Sequence, residues 1–449
     1  MDGTRIEPPT LPAEVEAVVR ALEASCGRVW IVGGAVRDWL QGRAAREIDL
    51  ATDLEPRAVE AALERAAAGE VAMDRAHLGA CRIRAGESDL TVTTLRSEGS
   101  HRDGRRPNEV RFVADVAEDA VRRDFTVNAL YLEPFTGAVH DPTGGLRDLD
   151  RGVLRCIGEP DRRFAEDALR LLRLVRFAAS ADLEIESSSG DGARRCAHHL
   201  KRLSAERCFQ ELTDAFCGRG RGRALLLLVD LGLADVILPE VAAMAGVAQP
   251  PEYHPEGDVL THVAKVLDHV PAGDRALAWS AVLHDVGKPP TFREAPDRIR
   301  FDGHDVLSAE MADVVLRRLR APKGLREQVV DVCRQHIRFA ALPLMRPRKA
   351  ERWLRSPGFR DHLEFHRADC LGSHQKLEVY DFASRMLDAL PPMRPRWIHG
   401  KDVLALGVPP GPRVGQILQE VDELLGDQPE AASREAALVL LRDVVRRGH

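Results

Sequence analysis

RVWIVGGAVRDWLQGRAAREIDLATD, residues 28–53, is the stretch on which the reading of the fold turns. Val29 to Val32 is an apolar run short enough to be a buried strand. Gly33 and Gly34 follow at once, with Arg37 and Asp38 on what reads as the first turn of a helix. A second short segment carries Glu47 and Asp49. Residues i and i+2 of a strand share a face, so this spacing predicts two carboxylates side by side, able to hold a divalent cation. Two glycines let a phosphate approach backbone N–H groups, and an Arg adds a planar fork of donors. Each motif alone is common; their order and spacing point to a site for a metal-bound triphosphate.

Outward from this unit the chain reads as a soluble globular protein. Its 449 residues suggest roughly three domains, and 44% hydrophobic with 30% charged residues is ordinary for that class. No apolar run approaches the roughly 20 residues of a membrane span. The first twenty residues lack the features of a signal peptide. Eight scattered cysteines without a CxxC pair exclude a zinc ribbon and a disulfide framework and fit a reducing cytoplasm. A net charge of −6 confines any nucleic-acid surface to local patches.

An amphipathic helix is expected within residues 1–25, with Leu11, Val15, Val18, Val19 and Leu22 near helical spacing. Another is expected from Pro56 to Ala68. Residues 80–84 and 90–95 read as two hairpin strands with Gly86 in the turn. Arg96 to Asn108, RSEGSHRDGRRPN, has no apolar residue and reads as an Arg-rich loop suited to contacting substrate, before a strand from Val110 to Val113. Arg122, Arg123, Asp124 and Asn128 cluster within VRRDFTVNALYL. The four-residue spacing of Asp124 and Asn128 predicts a shared helix face, and these groups suit a ribose and its phosphates. Asp141-Pro-Thr-Gly-Gly is a turn closing a first domain near residue 150.

Residues 160–180 read as one helix with a buried stripe of Ala168, Leu172, Val175 and Ala179. Asp167, Arg170, Arg173 and Arg176 follow each other at three-residue spacing on another side. An Asp acceptor and an Arg donor on one turn are equipped to read a base edge, although such a row is also an ordinary solvated face. More helices follow to about 245, then a Pro- and Gly-rich linker at 246–258. Beyond it come His262, His284-Asp285, His304, His336 and Asp369, each at a predicted helix or helix edge. Imidazole and carboxylate in this order suit first-row divalent metals, with His-Asp able to bind one ion or bridge two. The tail, 373–449, is helical with Pro breaks at 391–396 and 409–412. The basic cluster Arg346 to Arg355 is either an RNA contact or a solvated face.

Taken together, residues 29–215 resemble the bacterial class II tRNA nucleotidyltransferases, the CCA-adding enzymes, and their relatives the bacterial poly(A) polymerases. The likeness rests on Gly33-Gly34-Ala-Val-Arg37-Asp38, Glu47-Ile-Asp49, Thr93-Thr-Leu-Arg96, Arg105-Arg106-Pro, Arg122-Arg123-Asp124-Phe-Thr-Val-Asn128, Asp141-Pro-Thr-Gly-Gly, Glu166-Asp167-Ala-Leu-Arg170 and Ser204-Ala-Glu-Arg207. Residues 262–369 resemble an HD metallophosphohydrolase domain. The resemblance implies an α+β protein: a polymerase-β-like head with a mixed sheet, an all-α neck and body, and an all-α HD domain. The expected domains are a nucleotidyltransferase head at 1–150, a base-reading, RNA-binding neck and body at 151–250, the HD domain at 251–372 and a helical tail at 373–449.

The implied site follows residue by residue. Gly33, Gly34, Arg37 and Asp38 would hold the triphosphate. Glu47 and Asp49 would hold catalytic Mg²⁺. Arg122, Arg123, Asp124 and Asn128 would contact sugar and phosphates. Asp167 and Arg170 would pair with an incoming C or A, with Arg173 and Arg176 beside them. The loop at 96–108 would serve the switch from C to A. The HD ligands would take one or two ions of the Mn, Fe, Ni or Zn class, for 2′,3′-cyclic phosphates, 2′-nucleotides or other phosphoesters. The expected partners are a tRNA or other RNA 3′ end, CTP and ATP. Two positions depart from the family pattern: Glu47 stands where Asp is usual, and Thr91 where an acidic residue is common, with Asp89 one strand step away. Open alternatives are poly(A) addition, and an HD phosphohydrolase whose head only binds.

Overall fold

The computed structural model describes all residues except 1–3, 46, 67–68, 76–78, 86–87, 100–109, 251–256, 297, 391–396, 427–432 and 448–449. The proposed Gly86 turn, most of the Arg-rich loop, part of the 246–258 linker and the first Pro break of the tail therefore lie outside the described residues.

The N-terminal helix α1 (Ala13–Glu23) buries Val15, Val18, Val19 and Leu22, as its periodicity predicts. The chain then runs through β1 (Val29–Val32), α2 (Gly34–Leu40), β2 (Asp49–Thr52), α3 (Pro56–Arg65), β3 (Glu70–Arg75), β4 (Ala80–Ala85), β5 (Ser88–Thr94), β6 (Arg96–Glu98), β7 (Val110–Phe112), α4 (Val116–Arg122), β8 (Tyr131–Leu132), β9 (Val139–His140) and α5 (Gly145–Asp150). Seven strands form one sheet in the order β3-β4-β5-β2-β1-β8-β9. Only β2 and β5 pair in parallel, so the sheet is mixed. All four residues of β1 are buried, because the sheet is covered on both faces. Ile31 joins a cluster with Leu22, Leu50, Val59 and Val92 on one side; Trp30 and Val32 join Ala51, Leu95 and Tyr131 on the other.

Register fixes the site. Val32 pairs with Asp49 across β1 and β2, and Asp49 pairs with Thr91 across β2 and β5. β6, which follows the interior strand β5, pairs with β7 in a separate two-strand ribbon with Arg96 opposite Phe112, so the expected Arg-rich loop begins as a strand over Arg96–Glu98. Asp141 accepts N–H bonds from Gly145 (2.7 Å) and Leu146 (3.0 Å), so the Asp-Pro-Thr-Gly-Gly turn starts α5.

Two expected helices differ from the reading. Residues 160–180 are not one helix. α6 (Pro160–Glu166) ends at Asp167, whose extended backbone (φ −145°, ψ 103°) separates it from α7 (Leu169–Ala181). Asp124 and Asn128 share no α-helix face: α4 stops at Arg122, Asp124 is outside any helix, and a 3-10 turn spans Thr126–Asn128. Buried Phe125 and Val127 pull this segment into the core and override helical periodicity.

α8 (Ser187–Cys196), α9 (Ala205–Cys217) and α10 (Arg221–Asp230) follow, then helices Val259–His269, Arg275–Leu283, His304–Arg318, Lys323–Gln335 and Phe359–Gly372. Trp279 stacks on Phe209 of α9 at 5.5 Å, lies edge-on to Phe216, and donates to Thr213 Oγ1 at 2.9 Å. One continuous apolar cluster therefore runs from Phe125 to Ala368, without a break at residue 250. The chain divides into two compact units: 1–337 with 360–377, and 338–359 with 378–449. A stretch inside the expected 251–372 domain thus belongs with the tail. In that second unit Phe339, Trp353 and Phe359 pack together, and helices Pro412–Gly426 and Arg434–Arg447 enclose Ile417, Val421, Leu441 and Val444.

Candidate active site and metal centre

The head site is built at one end of β1 and β2. Gly33 has φ +75°, and a Cβ there would stand 4.0 Å from Asp49 Oδ2. The missing side chain leaves that approach open while the backbone turns into α2. Glu47 does not lie in a strand as expected: β2 begins at Asp49, and Glu47, exposed, precedes it outside any regular element. The two carboxylates are nonetheless neighbours electrostatically. The protein mass around Asp49 raises its pKa, Glu47 raises it further, and Arg123 and Arg173 oppose both. Asp49's side chain stays open to solvent. Two crowded carboxylates, one with a raised pKa, facing an uncovered glycine, fit a divalent cation. Thr91 is the register partner of Asp49, and Asp89 pairs with Arg84 at 3.1 Å.

Arg37 is buried rather than presented. Its guanidinium donates to Asp38 Oδ1 (2.9 Å) and to Asn128 Oδ1 (2.8 Å). This fixes the Asn128 amide with its Nδ2 buried and unbonded, a donor available to a ligand. Asp124 accepts from its neighbour's N–H, Phe125 (2.9 Å), and from Arg173 Nε (2.7 Å). Burial pushes Asp124 up, but Arg173 overrides this and holds it below the usual range. Arg176 is paired with Glu211 of α9.

Arg170 is turned inward. It donates to Arg163 O (2.9 Å), Arg122 O (3.0 Å) and Glu166 (3.3 Å). Asp167, in the break between α6 and α7, instead faces Arg207 of α9 at 3.4 Å. Arg170 and Asp167 are each oriented by a different partner. Arg163 also donates to Arg122 O and Arg123 O, both at 2.7 Å, fastening the neck to the head segment. Arg163 was not singled out in the sequence, and Arg207 only as part of the Ser204-Ala-Glu-Arg207 motif; their bonds to residues about 40 positions away have no local spacing to signal them.

The second centre unites all six expected ligands. His262 lies on helix Val259–His269, His284 and Asp285 end helix Arg275–Leu283, His304 begins the next long helix, His336 caps Lys323–Gln335, and Asp369 lies on Phe359–Gly372. They form two sets, His262/His284/Asp369 and Asp285/His304/His336, with ligand atoms within 4.8 Å in each. Nδ1 of His284, His304 and His336 lies 2.9, 2.7 and 2.7 Å from the carbonyl oxygens of Ala281, Phe301 and Cys333. A carbonyl only accepts, so each Nδ1 carries a proton, and in the neutral form of such a ring the lone pair lies on Nε2. His304 Nε2 and His336 Nε2 then face each other at 3.2 Å with two lone pairs, an arrangement that a cation between them stabilises. Burial, and then His284, push His336 down to about 4, so it is neutral at physiological pH.

Asp285 spans both sets. Its Oδ2 lies 3.2 Å from His284 Nε2, and its Oδ1 lies 3.6 Å from His304 Nε2. Burial disfavours its charge, but His284 and Lys288 outweigh that and hold it well below the usual range. Lys288, buried, lies 2.7 Å from Asp285 Oδ2 and donates to Gln249 at 2.6 Å. A recess of about 410 Å³ opens on these ligands, also lined by Arg298, Arg300 and Phe301. The donor set, soft enough for imidazole and hard enough for carboxylate, fits divalent transition ions. Among the described residues, no helix is long and apolar enough to cross a membrane.

Comparison with known proteins finds matches over the head, the neck and the histidine-rich part of the chain. Three family profiles match: the poly A polymerase head domain over residues 29–155, the "probable RNA and SrmB-binding site of polymerase A" over 182–244, and the HD domain over 258–357. An A-adding tRNA nucleotidyltransferase of Deinococcus radiodurans is 34% identical over 416 residues, covering 88% of this chain and 90% of that protein. A multifunctional CCA protein of Xanthomonas campestris is 33% identical over 348 residues, 74% and 81% of the two chains. In fold, the chain is similar to the Bacillus stearothermophilus CCA-adding enzyme crystallised with CTP, with a TM-score of 0.73 at 23% identity over 97% of this chain and 99% of that one. A carboxylate pair at a glycine turn, a helical neck and an HD ligand set thus meet in one sequence lineage, and the chain belongs to the bacterial tRNA nucleotidyltransferases with an HD domain.

Proposed function

We propose that this enzyme extends the 3′ end of tRNA, adding or repairing CCA from CTP and ATP. The observation that carries the reading is Asp49 beside Glu47, opposite the bare face of Gly33 and flanked by Arg123 and Arg173. Mg²⁺ held by Glu47 and Asp49 would activate the RNA 3′ hydroxyl and neutralise the leaving pyrophosphate. Arg122 and Arg123 supply positive charge to the triphosphate. Asp124 acts on it indirectly, through Arg173. Asn128, oriented by Arg37, offers its amide to the sugar. Asp167 and Arg170 read the base, which requires Arg170 to exchange at least one of its present acceptors for the nucleotide. In this reading residues 1–150 carry the transfer chemistry, 151–250 read the base and hold RNA, and 251–372 supply a hydrolase.

A second reading is addition of A alone. It is supported by the name of the Deinococcus radiodurans relative, which matches nine-tenths of its own length. Purified protein is incubated with Mg²⁺ and tRNA ending before C74, after C74 or after C75, with CTP, ATP or both. Ordered C, C and A addition that stops supports the first reading. Incorporation of A only, and only after C75, selects the second. Open-ended A tailing selects poly(A) addition, and no incorporation leaves the head as a binding module. We further propose that the six HD ligands hold two ions of the Mn, Fe, Ni or Zn class and hydrolyse phosphoesters, 2′,3′-cyclic phosphates and 2′-nucleotides among them. Metal analysis and phosphodiesterase assays of the wild type and His284→Ala test this; activity surviving in the variant would sink it.

A further inference from the structure

Asp119, on α4, contacts none of the groups expected to react, yet it is fully buried. A buried carboxylate is costly unless its partners satisfy it. Its Oδ1 accepts from Arg122 Nε (2.8 Å) and from the backbone N–H of Arg96 (3.0 Å). Its Oδ2 accepts from Tyr131 Oη (2.6 Å) and Arg123 Nε (3.1 Å). Arg123 Nε also donates to Tyr131 Oη at 2.8 Å, and its guanidinium lies 4.8 Å above the Tyr131 ring. Tyr131, raised by burial above an ordinary phenol, remains a hydroxyl donor at neutral pH.

The charge balance gives this cluster a direction. One carboxylate holds two guanidinium groups, so the cluster keeps a net positive charge. Arg123 is also the cation nearest in influence to Asp49. The backbone side is held separately, by Arg163 on the carbonyls of Arg122 and Arg123. Arg96 begins β6, so the same carboxylate ties down the root of the ribbon whose second strand, β7, is joined to α4 by Arg111 and Glu118 at 2.7 Å.

We propose that Asp119 is a positioning residue for nucleotidyl transfer: it locks the Arg122–Arg123 pair into the triphosphate pocket and fixes that pair to the root of the β6–β7 ribbon. The proposal rests on the reading of Arg122 and Arg123 as triphosphate ligands. Full-length wild type, Asp119→Asn, Asp119→Glu and Tyr131→Phe are compared for binding of α,β-methylene ATP with Mg²⁺ by calorimetry and for binding of tRNA. Losing a charge-assisted partner should weaken the analogue about tenfold or more in Asp119→Asn, with tRNA affinity within about twofold. Tyr131→Phe should weaken it about threefold, and Asp119→Glu should recover part of the loss. Unchanged analogue binding in a folded Asp119→Asn, or equal loss of analogue and tRNA, overturns the proposal. If Asp119→Asn does not fold, unchanged binding in Tyr131→Phe overturns it. A wild type that binds the analogue but adds no nucleotide fails the functional reading alone. A wild type that binds no analogue overturns the triphosphate reading and this proposal together.

Discussion

Gly33 shows how much one missing side chain decides. Its φ of +75° is a conformation that L residues resist, and its absent Cβ would face the Asp49 carboxylate. Gly33→Ala should therefore raise the KM for nucleotide by about tenfold or more while the fold survives, since left-handed strain at one position costs of order 1–3 kcal/mol. Steady-state kinetics with a melting curve checks this, and an unchanged KM would remove Gly33 from the phosphate path. Asp119 carries a pH signature. Burial raises its pKa, but Arg123 and Arg122 outweigh that and bring it down to about 2. A depressed carboxylate stabilises the fold above its unfolded value of about 3.9 and loses that contribution as pH falls toward the folded value. The stability gap between wild type and Asp119→Asn should thus be widest at pH 5 and above and shrink between pH 4 and 2, read by urea titration. A gap independent of pH would show that Asp119 is not held as a charge.

At the scale of elements, the break at Asp167 is the instructive case. Its periodicity reads as one helix through 160–180, and the buried stripe of Ala168, Leu172, Val175 and Ala179 is present. What divides α6 from α7 is tertiary: Arg163 and Arg170, both paired with Glu166, donate to the carbonyls of Arg122 and Arg123, while Asp167 turns to Arg207. Helix Arg275–Leu283 is the other case. Every residue from Ala276 to Leu283 is buried, and the helix's contact with α9 through Trp279, Phe209 and Thr213 is beyond local pattern. Trp279→Ala should cost about 3–5 kcal/mol, the range for removing a buried aromatic. Because the core is continuous, nucleotide incorporation and the hydrolytic centre should fail at the same lowered temperature in that variant. Incorporation that outlasts the metal centre would show two independently folding parts.

Over the whole molecule, the two proposed chemistries would occupy separate clusters of the larger unit. His304→Ala should lower bound transition metal, measured by elemental analysis, and abolish phosphoester hydrolysis while leaving more than about half of nucleotide incorporation, as distant sites act additively. Asp49→Ala should do the reverse, with incorporation reduced by about 10³-fold or more through loss of a metal ligand. Incorporation abolished by His304→Ala would tie the two centres together.

The order of residues along the chain determined a great deal here. Gly33-Gly34, Asp49 and the strands of the hairpin are local in sequence, and each owes its position to a turn or a pleat that neighbouring residues specify; the candidate metal ligands are legible one by one, but their meeting is tertiary. The tertiary structure alone decided which charges are used up. Arg37 is spent on Asn128, 91 positions away, and Arg170 on the carbonyl of Arg122, 48 positions away. It also decided that residues 338–359 pack with the tail. Periodicity reports which face of a segment is buried, because burial follows the repeat of the backbone. It does not report which partner meets a buried charge, because that pairing depends on chain closures of 40 or more residues that no local repeat encodes.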